Sequence, residues 1–219
     1  TDDAYHLFGD GAFSDKYVHK TDSMIAKLWE AVKYREQNHN EEWMVIVLTD
    51  HGRDEMGYGH GGQSDRARAI WMSTNIKEVN GQFAEPYLSH ADVNPTICKF
   101  MGFEVPRDVA FESDGSSFYG PRDIYALESR NYDNKVVLSW KVDKGKGTAR
   151  VFMASENNFA KGQPDDWKEV ATVPVTDGGC TVDLGAVDSD FYKFAVQTEN
   201  TVLNLWNPRK KNQPYKPAE

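Results

Sequence analysis

The sequence predicts two folds in series, an α/β region over residues 1–122 and an all-β sandwich over residues 123–209, followed by a tail at 210–219. Two patterns carry this expectation. Before Gly120-Pro121-Arg122, an amphipathic helical stretch runs into an unbroken apolar segment of strand length, which is half of an α/β repeat. After it, apolar residues alternate with polar ones in short segments separated by turn residues, the rhythm of a sandwich. A chain of 219 residues has room for one large or two modest domains, and 39% hydrophobic with 12% aromatic residues is an ordinary globular composition.

The chain opens with Asp2 and His6 four residues apart, without an initiating Met, a signal pattern or a lead-in strand, and reads as a piece of a longer protein. Residues 14–37 are expected to be helical. Val18, Thr21, Ile25, Leu28 and Val32 recur at three and four residues, with Ser14 as N-cap and Asp15 in the first turn. His19 and His39 read as solvated helix and exit-loop residues.

Residues 44–48, MVIVL, show no polar alternation and predict a strand covered on both faces, as in a parallel sheet. Asp50 and His51 follow at its carboxyl end, where α/β sheets collect their ligands. A carboxylate beside an imidazole suits a divalent metal. Gly52, Gly57, Gly59, Gly61 and Gly62 give the loop the backbone freedom to return His60 towards that pair.

Residues 67–73 read as a second strand, entered through a solvated turn containing Asp65, Arg66 and Arg68 rather than an oxyanion clamp. Residues 92–101 predict a short helix with Asn94 as cap, Pro95 at its first position and Gly102 as its stop. Met56, Met72 and Met101 read as core filler, and Cys98 and Cys180 as small buried side chains rather than a disulfide.

The order D-x-x-x-H (Asp2, His6), strand plus T-D-H-G (49–52), G-H-G-G-x-S (59–64), a further strand, D-x-x-P-T-I (92–97) and D-G-S-S (114–117) resembles the C-terminal half of the alkaline phosphatase superfamily. Its nearest likeness is the type I phosphodiesterase/nucleotide pyrophosphatase branch of secreted bacterial proteins. The resemblance covers about residues 1–120 and implies two divalent metal ions, most simply zinc. Asp2, His6 and His60 would hold one; Asp50 and His51 would contribute to the other. It implies a phosphate-ester substrate and an extracytoplasmic location, in the periplasm or at the cell surface.

Asp3 is the register alternative to Asp2, and Asp22 stands where such proteins often carry a structural acidic residue. The family's Ser or Thr nucleophile and a further Asp ligand come from the N-terminal half of its domain, and neither motif is in this sequence. Thr49 and Ser64 do not occupy the nucleophile's position. The expectation is a C-terminal fragment, inactive alone unless it associates with the missing N-terminal part. A sulfatase or phosphonate hydrolase on the same scaffold is the alternative, as is a non-catalytic surface protein that binds glycan.

A net charge of -9, with Arg209, Lys210 and Lys211 as the one basic cluster, argues against a nucleic-acid-binding surface. No apolar run approaches the ~20 residues of a membrane-spanning helix.

In the second region, strands are expected at 135–142, 148–155, 168–175, 180–184, 192–198 and 201–206. VVLSWKV and DFYKFAVQTEN resemble a fibronectin type III-like domain, with Trp140 as the core aromatic and Tyr192 near the position of a tyrosine corner. Residues 155–167 read as a solvated loop, with a carbohydrate or calcium contact as the alternative. Trp206 and Tyr215 stand open between glycan stacking and packing.

Overall fold

The computed structural model describes residues 1–84, 88–185, 189 and 191–208; the tail at 210–219, with Tyr215 and the basic cluster 209–211, lies outside them. The chain is a mixture of helix and antiparallel sheet, divided into two compact units, Thr1–Lys77 and Glu78–Glu219.

The first unit begins with helix α1, Asp2–Phe8, and helix α2, Ala12–His39. The latter extends two residues beyond the expected 14–37 at each end. Ser14 is not its cap: Gly11 holds that position, and Ser14 lies fully buried within the first turn. Its Oγ donates to the Gly9 carbonyl at 2.7 Å, which pins the end of α1 against the start of α2. Asn40 closes α2 in the left-handed region, a conformation that Asn tolerates better than most residues.

Strand β1, Ile46–Leu48, pairs with β2, Met72–Thr74, and helix α3, Asp65–Arg68, lies between them in sequence. The pairing is antiparallel, with Ile46 opposite Thr74 and Leu48 opposite Met72, and the strand residues are part-buried except Ser73, which is exposed. The expected parallel strand covered on both faces is therefore a short ribbon in this structure. Asn75 extends it, accepting from Val45 N at 2.8 Å and donating to Trp43 O at 2.7 Å. The second strand was expected at 67–73 but starts at Met72. The Ser64 hydroxyl accepts from Ala67 N at 3.2 Å, and that cap diverts residues 65–68 into a helical turn. Ile25, Leu28, Trp29 and Val32 of α2 face Val45 to Leu48 across an apolar cleft of about 600 Å³.

The second unit opens on residues 78–122, which the sequence assigned to the first region. Here α4, Val93–Phe100, follows a single 3-10 turn, His90–Asp92. The capping box belongs to that turn, where Asp92 accepts from Ser89 N at 2.8 Å and the Ser89 hydroxyl accepts from Ala91 N at 3.2 Å; Asp92 rather than Asn94 is the N-cap of α4, which places Pro95 within its first turn. Gly102, at φ 67°, ends the helix as expected. The short helix α5, Arg107–Ala110, then delivers Phe111, fully buried between Phe152 at 4.8 Å and Trp167 at 5.2 Å. Asn204 donates to the carbonyls of Phe111 and Ser113, so this segment belongs to the body of the sandwich.

Among the described residues that sandwich has seven strands: β3 Ile124–Tyr132, β4 Lys135–Val142, β5 Thr148–Ala154, β6 Lys168–Pro174, β7 Gly179–Asp183, β8 Phe191–Gln197 and β9 Val202–Pro208. The strand β3 was not expected. Its alternation is interrupted by a bulge between Tyr125 and Glu128, with Ala126 at φ 52°. One sheet has the order β3-β4-β7 and the other β6-β5-β8-β9. Their inner faces share one core, with Val136, Leu138 and Trp140 from the first meeting Val151, Tyr192, Phe194 and Val196 from the second. Trp140 donates from Nε1 to Val175 O at 3.1 Å, and the Tyr192 hydroxyl accepts from Ser189 N at 3.2 Å.

Candidate functional site

α1 places Asp2 and His6 one turn apart on one face, the helical i, i+4 spacing. His6 Nε2 lies 3.4 Å from Asp2 Oδ2. The loop after β1 brings in His60, whose Nε2 is 3.9 Å from Asp2 Oδ1. One donor atom from each of Asp2, His6 and His60 falls within 4.8 Å of the others. A tetrahedral zinc with bonds of ~2.0–2.2 Å needs its donors roughly 3.3 Å apart, so this set fits with small side-chain rotations. All three side chains are partly exposed, which leaves the centre open on the solvent side.

Asp50 and His51 lie beside this group. The His51 ring stacks on that of His60, with centroids 4.0 Å apart and planes 26° apart. His51 Nδ1 is 2.8 Å from the Gly52 carbonyl. A carbonyl only accepts, so Nδ1 carries a proton, and in the neutral ring Nε2 is then the atom with the lone pair that a ligating imidazole requires. Asp50 Oδ2 is 3.4 Å from that Nε2. The structure thus gathers all five residues that the sequence singled out in one neighbourhood, with Asp2, His6 and His60 as the tight cluster.

Two residues that the sequence reading passed over shape this place. Asp54 folds the glycine loop. Its Oδ1 accepts from Met56 N and Tyr58 N at 3.1 Å each, and its Oδ2 accepts from Gly59 N at 2.9 Å. Gly57, at φ 77°, supplies the turn that these bonds need. The visible signal was an Asp at the head of a glycine-rich loop, the setting in which a side chain captures nearby backbone N–H groups. Arg53 is the other. Its Nη2 donates to Asp2 Oδ1 at 2.5 Å, its guanidinium carbon lies 4.9 Å from the Tyr5 ring centre, and its side chain is 14% exposed. Burial raises the Asp2 pKa, but Arg53, His6 and His60 together outweigh it and hold the carboxyl below its usual value.

The remaining candidates take structural places. Arg66 pairs with Asp10 and donates to the Glu55 carbonyl, tying the loop to the α1–α2 junction. Thr49 Oγ1 donates to His51 O at 3.0 Å, and Ser64 caps α3. His19, Asp22 and Asp3 are exposed outside the cluster. In the second unit, the D-x-x-P-T-I and D-G-S-S segments form one knot. Asp92 Oδ1 accepts from Ser116 N at 2.7 Å, and Thr96 Oγ1 accepts from Phe118 N at 3.0 Å. A Cβ at Gly115 would meet Ala91 O at 2.0 Å, so only glycine fits there.

No protein-family model matches the chain. A curated relative, GPI ethanolamine phosphate transferase 2 of Schizosaccharomyces pombe, is 23% identical over 117 residues, covering 47% of this chain and 15% of the transferase. The chain therefore spans less than a sixth of that relative. Two crystal structures of pectate lyase Pel3 from Pectobacterium carotovorum align at TM-scores of 0.28 and 0.29, with 23% and 25% identity. They cover 43% and 38% of this chain and 28% and 24% of the lyase chains. Overlap this shallow carries no argument.

Proposed function

We propose that the first unit is the metal-holding part of an extracytoplasmic phosphodiesterase or phosphatase of the alkaline phosphatase superfamily. Asp2, His6 and His60 hold one zinc ion, and Asp50 and His51 contribute to a second. The observation that carries this reading is the convergence of Asp2, His6 and His60 from two separate segments of the chain. The distant likeness to an enzyme named for transferring ethanolamine phosphate supports phosphoryl chemistry at such a centre.

When bound, paired divalent cations supply charge that neutralises the attacking and leaving oxygens of an in-line displacement at phosphorus. The chain's own residues orient that charge. The Gly52 carbonyl fixes the His51 tautomer, Asp54 fixes the path of the loop to His60, and α1 holds Asp2 and His6 in register. A nucleophile is not supplied here, since the hydroxyls of Thr49 and Ser64 are engaged in local structure. The chain alone is therefore a binder of metal rather than a catalyst.

The second unit we read as a fibronectin type III-like accessory domain. Its strand order and the bond from Ser189 N to the Tyr192 hydroxyl support that reading.

Zinc titration by calorimetry, with bis(p-nitrophenyl) phosphate hydrolysis on the same sample, tests the proposal. About one equivalent of zinc should bind tightly. His60→Ala should lose that binding, and neither protein should turn over. Zinc binding unchanged by His60→Ala would sink the assignment, and chelator-sensitive turnover by the pure chain would sink the claim that it lacks a nucleophile.

A further inference from the structure

We propose that Arg53 is a resident counter-cation of the candidate metal centre: it holds Asp2 while the metal is absent, and on metal binding it is released to bind an oxyanion of the substrate. The inference rests on the reading of Asp2, His6 and His60 as a metal site. Three observations carry it.

First, Arg53 Nη2 already sits 2.5 Å from Asp2 Oδ1, the oxygen that is 3.9 Å from His60 Nε2. A cation bound between His60 and Asp2 would share that carboxylate oxygen with a guanidinium. Two positive groups about 4 Å apart at a part-exposed site repel appreciably, and one carboxylate does not neutralise both. Occupation by metal and occupation by Arg53 therefore oppose each other.

Second, Arg53 Nη1 is buried and has no hydrogen-bond partner among the described residues. Buried guanidinium N–H groups are nearly always satisfied. The fork that grips Asp2 with one nitrogen thus has another donor to offer to an acceptor that is not part of the chain. Paired guanidinium donors match the oxygens of a phosphate or phosphate ester better than any other side chain does.

Third, the Tyr5 ring lies 4.9 Å from the guanidinium carbon. An aromatic face holds a cation without binding its N–H groups, so Arg53 can leave Asp2 and remain beside the site. His6, His51 and His60, the groups that ring the same place, add no carboxylate that would recapture it, and Asp50 lies on the His51 side, 3.4 Å from His51 Nε2.

The test uses the purified chain, with zinc and inorganic phosphate as probes, and needs no turnover. Arg53→Gln should bind zinc about tenfold more tightly than the parent, because the competing cation is gone, while the zinc-loaded variant should bind phosphate about tenfold more weakly. A residue that merely supports the fold would move both affinities down together. Weaker or unchanged zinc binding by Arg53→Gln would make Arg53 a support of Asp2 and overturn the proposal. In the metal-free protein, Asp2→Asn should release Arg53 and give measurable phosphate binding where the parent shows none; no such gain would likewise overturn it. If instead the parent binds no zinc, the metal assignment fails, and the metal-free phosphate result for Asp2→Asn still decides whether Arg53 is held by Asp2 alone.

Discussion

Asp54 commits both carboxylate oxygens to three backbone N–H groups and so decides where His60 points. Asp54→Ala would orphan all three donors and let the loop drift, and zinc affinity should fall about 10- to 100-fold, the usual cost of losing an outer partner of a metal site. Asp54→Asn keeps an acceptor and should lose less; competition against a chromogenic chelator would rank the variants. Gly52 is as constrained, since a Cβ there would lie 1.9 Å from Arg66 O, which is rigid backbone. At this scale the sequence displayed the candidate ligands but not their supports. Asp2, His6, Asp50, His51 and His60 announce themselves by residue type and motif order. Arg53 and Asp54 stand between two of those motifs and are identified only by what their side chains touch.

Among the elements, the buried triad of Lys193, Glu112 and Asp165 joins the segment after α5 to the sandwich. Lys193 is 1% exposed and bonds both carboxylates, with Asp165 Oδ2 at 2.5 Å. Asp165 also accepts from Asn158 N, so the loop at 155–167, expected to be solvated, is anchored. Lys193→Met would leave a buried carboxylate without its cation and should destabilise the second unit by about 3–5 kcal/mol, read by urea denaturation.

The two acids titrate in opposite senses. Burial pushes the Glu112 carboxyl up, despite Lys193. Burial also raises Asp165, but Lys193 and the Asn158 N–H outweigh it and hold that group low. Glu112, with its folded pKa raised, contributes stability that is present below its unfolded value and lost as pH rises through its folded value. Asp165 contributes stability that is present above its unfolded value and lost as pH falls through its folded value. The triad should therefore be most stabilising in mild acid, and Glu112→Gln should flatten the decline in the denaturation midpoint as pH rises above the ordinary glutamate value of about 4.3.

Element types were legible where periodicity was strong, as in α2 and strands β4 to β8. Caps were less so: Ser89 and Asp92 form a box three residues apart that was in plain view, yet Pro95 drew the helix start to itself. Strand β3 was hidden because its bulge breaks the alternation on which strand recognition depends.

For the molecule as a whole, burial is distributed unequally. Among the described residues, the buried hydrophobic side chains of the first unit are Ala4 and Ala67, whereas the second unit holds aromatic and branched residues from Phe111 to Val196. The part-exposed side chains that line the cleft between α2 and β1 do not amount to a core. Calorimetry should show two transitions, with the first unit melting earlier. Zinc at about 100 times its dissociation constant should stabilise that unit by about 2.7 kcal/mol and leave the second transition in place. A single transition unaffected by zinc would contradict both the division and the metal site. The boundary itself was not legible in composition. Residues 78–122 carry motifs of the resemblance but pack through Phe111 and Asn204 with the strands that follow.

The bond between Arg53 and Asp2 spans 51 positions of sequence, and almost all of the first unit's regular structure lies between them. Closing a chain of that length costs entropy before any contact repays it, so the two ends should meet only after α2 has shortened the path. The centre should thus form late in folding. Metal added during refolding should leave the rate of helix formation unchanged and act mainly on unfolding, lengthening the lifetime of a unit that already exists.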